Sequence, residues 1–196
     1  MHPSPIFRQD DEAALAALVA AHPFALIVGV VEGRPVAVHA PVLLRGRTLR
    51  FHVSRANALV PALVGGGRVL AVVTGPHAYI SPDWYGLDDQ VPTWNYLSAE
   101  MEGPVTVLDE AGAATLVDEL SDHFEADLAP KPVWKRSKMT PGRFEALLRG
   151  IVACEVALDR FEGIWKLGQH KPDAAREAVA DALGDHQLAE ISRPPR

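Results

Sequence analysis

Six or seven strands in meander order, joined by short turns and edged by helices, predict a mostly β fold with flanking helices (α+β). The expected form is an antiparallel barrel, closed or partly closed. Three observations carry this. Residues 48–53 alternate Leu49, Phe51 and Val53 with Arg50 and His52, the period of a half-buried strand. Tight turns punctuate the β-branched runs, at Glu32-Gly33-Arg34-Pro35 and at Arg45-Gly46-Arg47. The 196 residues, 48% hydrophobic and 22% charged, are enough chain for one packed core. With no internal repeat and no linker composition, residues 1–184 are expected to form a single domain and 185–196 a C-terminal tail, mobile over 191–196.

The elements follow in order. Residues 10–21 (DDEAALAALVAA) are rich in Ala and Leu, carry acids in the first turn and stop before Pro23, so they predict a helix. Residues 24–31 and 36–44 form a hairpin about the Gly33 turn, and 48–53 a third strand. Ser54 and Asn57 are N-cap types that open a short helix over 58–64, closed by Gly65-Gly66-Gly67. Residues 68–74 are a fourth strand, and 75–90 read as a long structured loop. Residues 91–97 and 101–108 are two strands around a bend. Leu116, Leu120 and Phe124 mark an amphipathic helix over 110–124. A basic loop at 131–141, a short helix at 144–148, a core strand at 151–158 and an aromatic-basic turn at 160–171 come next. A last helix starts at Pro172 and stops at Gly184.

Several classes are disfavoured. The longest apolar runs fall far short of the roughly 20 residues that span a bilayer. No basic and apolar leader is visible at the N-terminus. The expected location is the cytoplasm. One cysteine, Cys154, excludes an internal disulfide framework and a cysteine-based zinc site. The eight histidines show no metal-ligand spacing, so no metal is expected. A net charge of −6 disfavours a protein that coats nucleic acid.

Charge is segregated along the chain. Residues 33–82 hold six arginines, three histidines and no carboxylate; 83–130 hold twelve acids and no Lys or Arg; 131–149 hold six basic residues and one acid. Either the blocks pair with one another across the fold or a subunit interface, or the first block holds an anion.

Four segments could carry chemistry. At 51–57, Ser54, Arg55 and Asn57 stand at a strand-to-helix junction, where N–H groups and a cation suit a phosphate; plain capping is the alternative. At 75–85, His77 and Ser81 stand four apart in a Pro-bounded loop without a nucleophile elbow, which argues against a hydrolase. At 91–96, alternation puts Thr93, Asn95 and Leu97 on one face, and Trp94 and Tyr96 on the other. At 161–171, Trp165, Lys166, Gln169 and Lys171 could present a flat wall, cations and an amide to an anionic ligand.

GPHAYISPDWY at 75–85, VPTWNY at 91–96, FHVSRAN at 51–57 and EGIWKLGQHK at 162–171 resemble the PaiB-like FMN-binding negative transcriptional regulators, in the same order over nearly the whole chain. The resemblance implies the FMN-binding split β-barrel, FMN as cofactor and a homodimer with flavin sites at the subunit interface. It implies the flavin phosphate near His52, Val53, Ser54, Arg55 and Asn57, the ring beside His39, and closure by Trp165, Lys166, Gln169 and Lys171 of the other subunit. Gly168 and His170 depart from the family's K-L-S-Q-N form and remove a hydroxyl and an amide. The resemblance implies a regulatory or redox-sensing flavoprotein. A weak flavin reductase or other oxidoreductase and a haem-binding split barrel, with His39, His52 or His77 as axial ligand, are the alternatives. Catalytic residues are not identified. Direct DNA binding without a partner is not expected, because the net charge is −6 and no helix-turn-helix is recognisable; the basic block at 131–149 is the one plausible DNA-contacting surface.

Overall fold

The computed structural model describes residues 3–194. Eight strands form one antiparallel sheet: β1 (Arg8–Gln9), β2 (Phe24–Val31), β3 (Arg34–Arg45), β4 (Thr48–Ser54), β5 (Arg68–Ile80), β6 (Thr93–Val107), β7 (Ile151–Ala157) and β8 (Arg160–Lys166). Their hydrogen-bonded order is β1-β8-β6-β5-β2-β3-β4-β7, and β6 also pairs with β7. That extra pairing returns the order on itself, so β6-β5-β2-β3-β4-β7 is a closed circuit of six strands. Only β2-β3-β4 is a simple meander. Six helices accompany the strands: α1 (Glu12–Ala21), α2 (Val60–Val64), α3 (Glu110–Ala126), α4 (Arg143–Leu148), α5 (Asp173–Leu183) and α6 (Leu188–Ser192).

The chain divides into two compact units. One comprises Met1–His22, Val73–Ala99 and Glu162–Arg196; the other comprises Pro23–Val72 and Glu100–Phe161. Both are built from discontinuous stretches, and β5 and β6 run through each.

In the Pro23–Val72 unit, Glu32 and Gly33 both take positive φ (52° and 76°), the two-residue hairpin turn whose twist matches its strands. β4 pairs with β7 from Thr48↔Ala157 to Ser54↔Ile151. Leu49 and Phe51 are wholly buried, each worth about 1.5–3 kcal/mol of apolar transfer. The Asp109 carboxylate caps α3 by accepting from the Gly112 N–H at 2.8 Å. Leu116 and Leu120 of that helix pack with Leu43 and Ala153 of the sheet.

In the other unit, Asp11 caps α1 by accepting from Ala13 N–H. Ile80 and Tyr85 pack against Ala175 and Val179 of α5. Arg176 donates to the carbonyl oxygens of Ser192 and Arg193, which ties α6 to α5.

Several expectations need correction. β5 continues through 75–80 instead of giving way to a loop: the inward alternation of Val69, Ala71, Val73 and Gly75 ends there, and the strand runs on with His77 and Tyr79 exposed and Ile80, on the other face, buried. Only 82–85 coil, as a 3-10 turn. The two strands around a bend are one strand, β6, since Ala99 and Met101 are buried and Ser98 and Glu100 half-buried in unbroken period. Residues 160–166 are a strand rather than a turn. The helix at 58–64 starts only at Val60. The C-terminal tail contains α6, and within the stretch 191–196 expected to be mobile Ser192 is buried; the last two residues lie outside the described ones.

Candidate functional site

The junction at 51–57 lies in the Pro23–Val72 unit. β4 ends at Ser54, and the Arg55 N–H donates to Gly150 O at 2.8 Å, which carries the β4–β7 pairing one residue further. Arg55 Nε donates to Arg149 O and Nη2 to Ile151 O, both at 2.8 Å. The guanidinium is therefore fixed in place, with three of its five N–H groups left over. Ser54 Oγ accepts from Ala56 N–H at 3.3 Å, and Asn57 Oδ1 accepts from Leu59 N–H at 2.9 Å. The turn thus uses its side-chain acceptors internally and keeps its side-chain donors: the Ser54 hydroxyl, the Asn57 amide and the rest of Arg55.

This donor set fits a phosphate, but not for the reason the sequence offered. α2 has five residues and starts at Val60, so no helix N-terminus stands at Ser54–Asn57. The N–H groups of Arg55, Ala56 and Asn57 are engaged. Nor is the surrounding free of carboxylates: Asp109 and Glu110 line the same 120 Å³ hollow as Arg55. Neither makes an ion pair with it among the described residues.

The other arginines of the 33–82 block are largely neutralised. Arg50 pairs with Glu119 at 2.7 Å, and Arg45 with Glu119 at 3.7 Å. Arg68 pairs with Asp159 at 2.7 Å and with Glu102 at 3.2 Å. In the third block Lys131 pairs with Glu125, Lys135 with Asp122 and Arg136 with Asp118. Pairing between blocks is what the segregated charge achieves, and it leaves Arg55 without a carboxylate partner among the described residues.

Val53 is buried in β4. His52, next to it, is half-buried with Nδ1 unpartnered, and burial lowers its pKa, so the ring is neutral. His39 is exposed on β3, stacked on Phe24 with ring centroids 5.7 Å apart. His77 Nδ1 lies 3.0 Å from Gly75 O, and Ser81 Oγ accepts from Asp83 N–H, so both serve the local backbone.

The late segment lies in the other unit, at the end of β8. Gln169 is engaged by its own turn: Oε1 accepts from Leu167 N–H and Nε2 donates to Trp165 O. Gly168 has φ +77°, a left-handed conformation that accounts for glycine there. Lys166 Nζ donates to Thr93 Oγ1 and to Trp94 O, and burial lowers its pKa. Lys171 donates to Gln90 Oε1 and lies 5.1 Å from the centre of the Tyr85 ring. These two lysines line a 440 Å³ cavity with Asn95, Tyr85, Thr93 and Val91. Asn95 was the residue to single out from the sequence, as an amide at a core-facing position of an alternating strand.

Residues 1–160 match the family model described as "Putative FMN-binding domain". The chain is 26% identical over 168 residues to protease synthase and sporulation protein PAI 2 of Bacillus subtilis, covering 84% of this chain and 80% of that one. Among solved structures it resembles an FAD- and haem-binding protein of Mycobacterium smegmatis (TM-score 0.62, 22% identity, 89% of this chain and 79% of that one). It also resembles the flavocytochrome Anf3 of Azotobacter vinelandii (TM-score 0.66, 15% identity, 84% and 72%). These likenesses establish the split-barrel fold that the circuit of strands displays. With the family model spanning 160 of its residues, the chain belongs to the PaiB-like family of FMN-binding domains.

Proposed function

We propose that this chain binds FMN, with the phosphate on the turn from Ser54 to Asn57, and works as a regulatory or redox flavoprotein. The observation that carries the reading is the donor-only turn around a fixed arginine without a carboxylate partner, in a member of an FMN-binding family. A phosphate needs donors and a permanent charge, and Arg55 is already held in place before ligand arrives. The flavin would supply one- and two-electron redox chemistry when bound. The test is a fluorescence titration with FMN and with riboflavin, which lacks the phosphate. FMN should bind at least about tenfold more tightly, the scale of one charged hydrogen bond. Equal affinities would remove the phosphate from this turn.

The functional unit in this reading is a homodimer. Val91 (73% exposed), Phe24 (65%) and Trp94 (54%) leave large apolar side chains uncovered, which suits an interface. Light scattering at micromolar concentration should give twice the chain mass. DNA recognition without a partner is not part of the proposal, because Lys131, Lys135 and Arg136 already face acids of α3; a gel-shift titration at physiological salt should show no discrete complex.

Haem is the second reading, favoured by the neutral His52 ring with its unpartnered Nδ1. The visible spectrum separates the two, since flavin absorbs at about 375 and about 450 nm and haem gives a Soret band near roughly 400 nm.

A further inference from the structure

The hollow beside the phosphate turn has a second arginine on its wall. Arg149 lines the same 120 Å³ space as Arg55, and every lining residue belongs to the unit of Pro23–Val72 and Glu100–Phe161. The backbone ties the two together: Arg55 Nε donates to Arg149 O, and the Arg55 N–H donates to Gly150 O, both at 2.8 Å. Arg149 closes α4, where its N–H donates to Glu145 O at 3.3 Å. The preceding Leu148 is buried with Leu116 and Leu120 of α3. The Arg149 backbone is thus seated by α4 and held by Arg55. Its guanidinium makes no hydrogen bond or ion pair among the described residues, so its five N–H groups are free. The start of α3 lines the hollow as well. Asp109 accepts there from Gly112 N–H, and Glu110 forms no ion pair with either arginine among the described residues.

We infer that Arg149 is the second guanidinium of the phosphate site, so that the FMN phosphate is held by Arg55 and Arg149 together, against the opposing charge of Glu110. The inference rests on the flavin reading and deepens it by naming the charge for which the site is built. A phosphomonoester carries close to two negative charges at neutral pH. One guanidinium leaves about half of that charge unmatched, and two match it. The two arginines divide the work. Arg55, locked onto two carbonyl oxygens, fixes where the phosphate sits. Arg149, with its side chain unengaged, supplies the second charge once the ligand has arrived. Two like charges on one small hollow repel, and a shared anion relieves that repulsion. Glu110 acts in the opposite sense, as a carboxylate on the wall that receives a dianion.

The test is a fluorescence titration of the full chain with FMN and with riboflavin. Arg149→Ala should weaken FMN about tenfold and leave riboflavin affinity and the melting temperature unchanged, because the side chain it removes bonds to nothing else among the described residues. Arg149→Lys keeps the charge and loses the fork, so it should recover part of that loss. Glu110→Gln should tighten FMN roughly two- to fivefold with riboflavin unaffected. It reads the same hollow with the opposite sign, and it carries the test if Arg149→Ala does not fold; unchanged FMN affinity in Glu110→Gln would then overturn the inference. A parallel loss of both flavins in Arg149→Ala, with a lower melting temperature, would make Arg149 a structural residue and overturn it too. If the wild type prefers FMN to riboflavin and Arg149→Ala keeps that preference in full, the flavin reading stands and this inference falls. If the wild type shows no such preference, both fall.

Discussion

Cys154 shows how much a single position depends on its surroundings. In the sequence it is one uninformative thiol; in β7 it is wholly buried, and burial pushes its pKa up to about 12. It should resist maleimide at pH 8 in the native protein and react promptly once unfolded. The linkage has a fixed sign. The folded thiol keeps its proton up to about 12, whereas the unfolded one loses it near 9.0. Its contribution is whole below that value and declines as pH rises from there, so melting temperature should drop between about pH 9 and 12. Gly168 is the second such residue. With φ at +77°, Gly168→Ala should cost about 1–2 kcal/mol by thermal melting, the left-handed penalty of an L-residue. The sequence comparison marked this glycine as a lost hydroxyl; the backbone gives it a conformational reason instead.

At the scale of elements, the sequence was most legible where alternation was short and turns were tight. The β2–β3 hairpin and β4 stand where the pattern put them. Legibility failed along β5 and β6, because Gly75 and Pro76 read as the start of a loop and residues 98–100 as a bend, yet both strands run through them. Along β6 the core-facing residues keep the period from Asn95 to Val105, and ladder pairing outweighs local propensity. Glycines in strands here have a packing cause. A Cβ on Gly103 would stand 2.1 Å from the Ala157 carbonyl oxygen, a backbone atom that cannot move aside cheaply. Gly103→Ala should therefore lower stability by about 1–3 kcal/mol in a denaturant titration, the range for overpacking. The site was half legible for a related reason. Ser54, Arg55 and Asn57 were visible as residue types, but their donors are left available by turn hydrogen bonds rather than by a helix, and no spacing rule reveals which acceptors a turn engages.

On the scale of the whole molecule, segregated charge resolves into ion pairs. The arrangement predicts a pH response. Glu102 lies between Arg160 and Arg68, and Asp159 faces Arg68; these guanidinium groups hold both carboxyls below their ordinary values of 4.5 and 3.8. A depressed carboxyl contributes stability above its unfolded pKa and loses it as pH falls through the folded one. Melting temperature should hold from pH 7 to about 5 and decline below about 4, with Asp159→Asn flattening part of that decline. The effect is modest, because these groups are exposed to solvent and screened.

The central claim is that the FMN phosphate rests on the turn from Ser54 to Asn57, and Ser54→Asp tests it most directly. Arg55→Ala would confound binding with the loss of its bonds to the Arg149 and Ile151 carbonyls. An aspartate at position 54 can still accept from the Ala56 N–H, as Ser54 Oγ does, while placing a negative charge where the phosphate would lie. Fluorescence titration of both proteins with FMN and riboflavin reads the outcome. FMN affinity should fall by about ten- to a hundredfold and riboflavin affinity should stay unchanged. If FMN and riboflavin weaken equally, or neither changes, the phosphate does not rest on this turn.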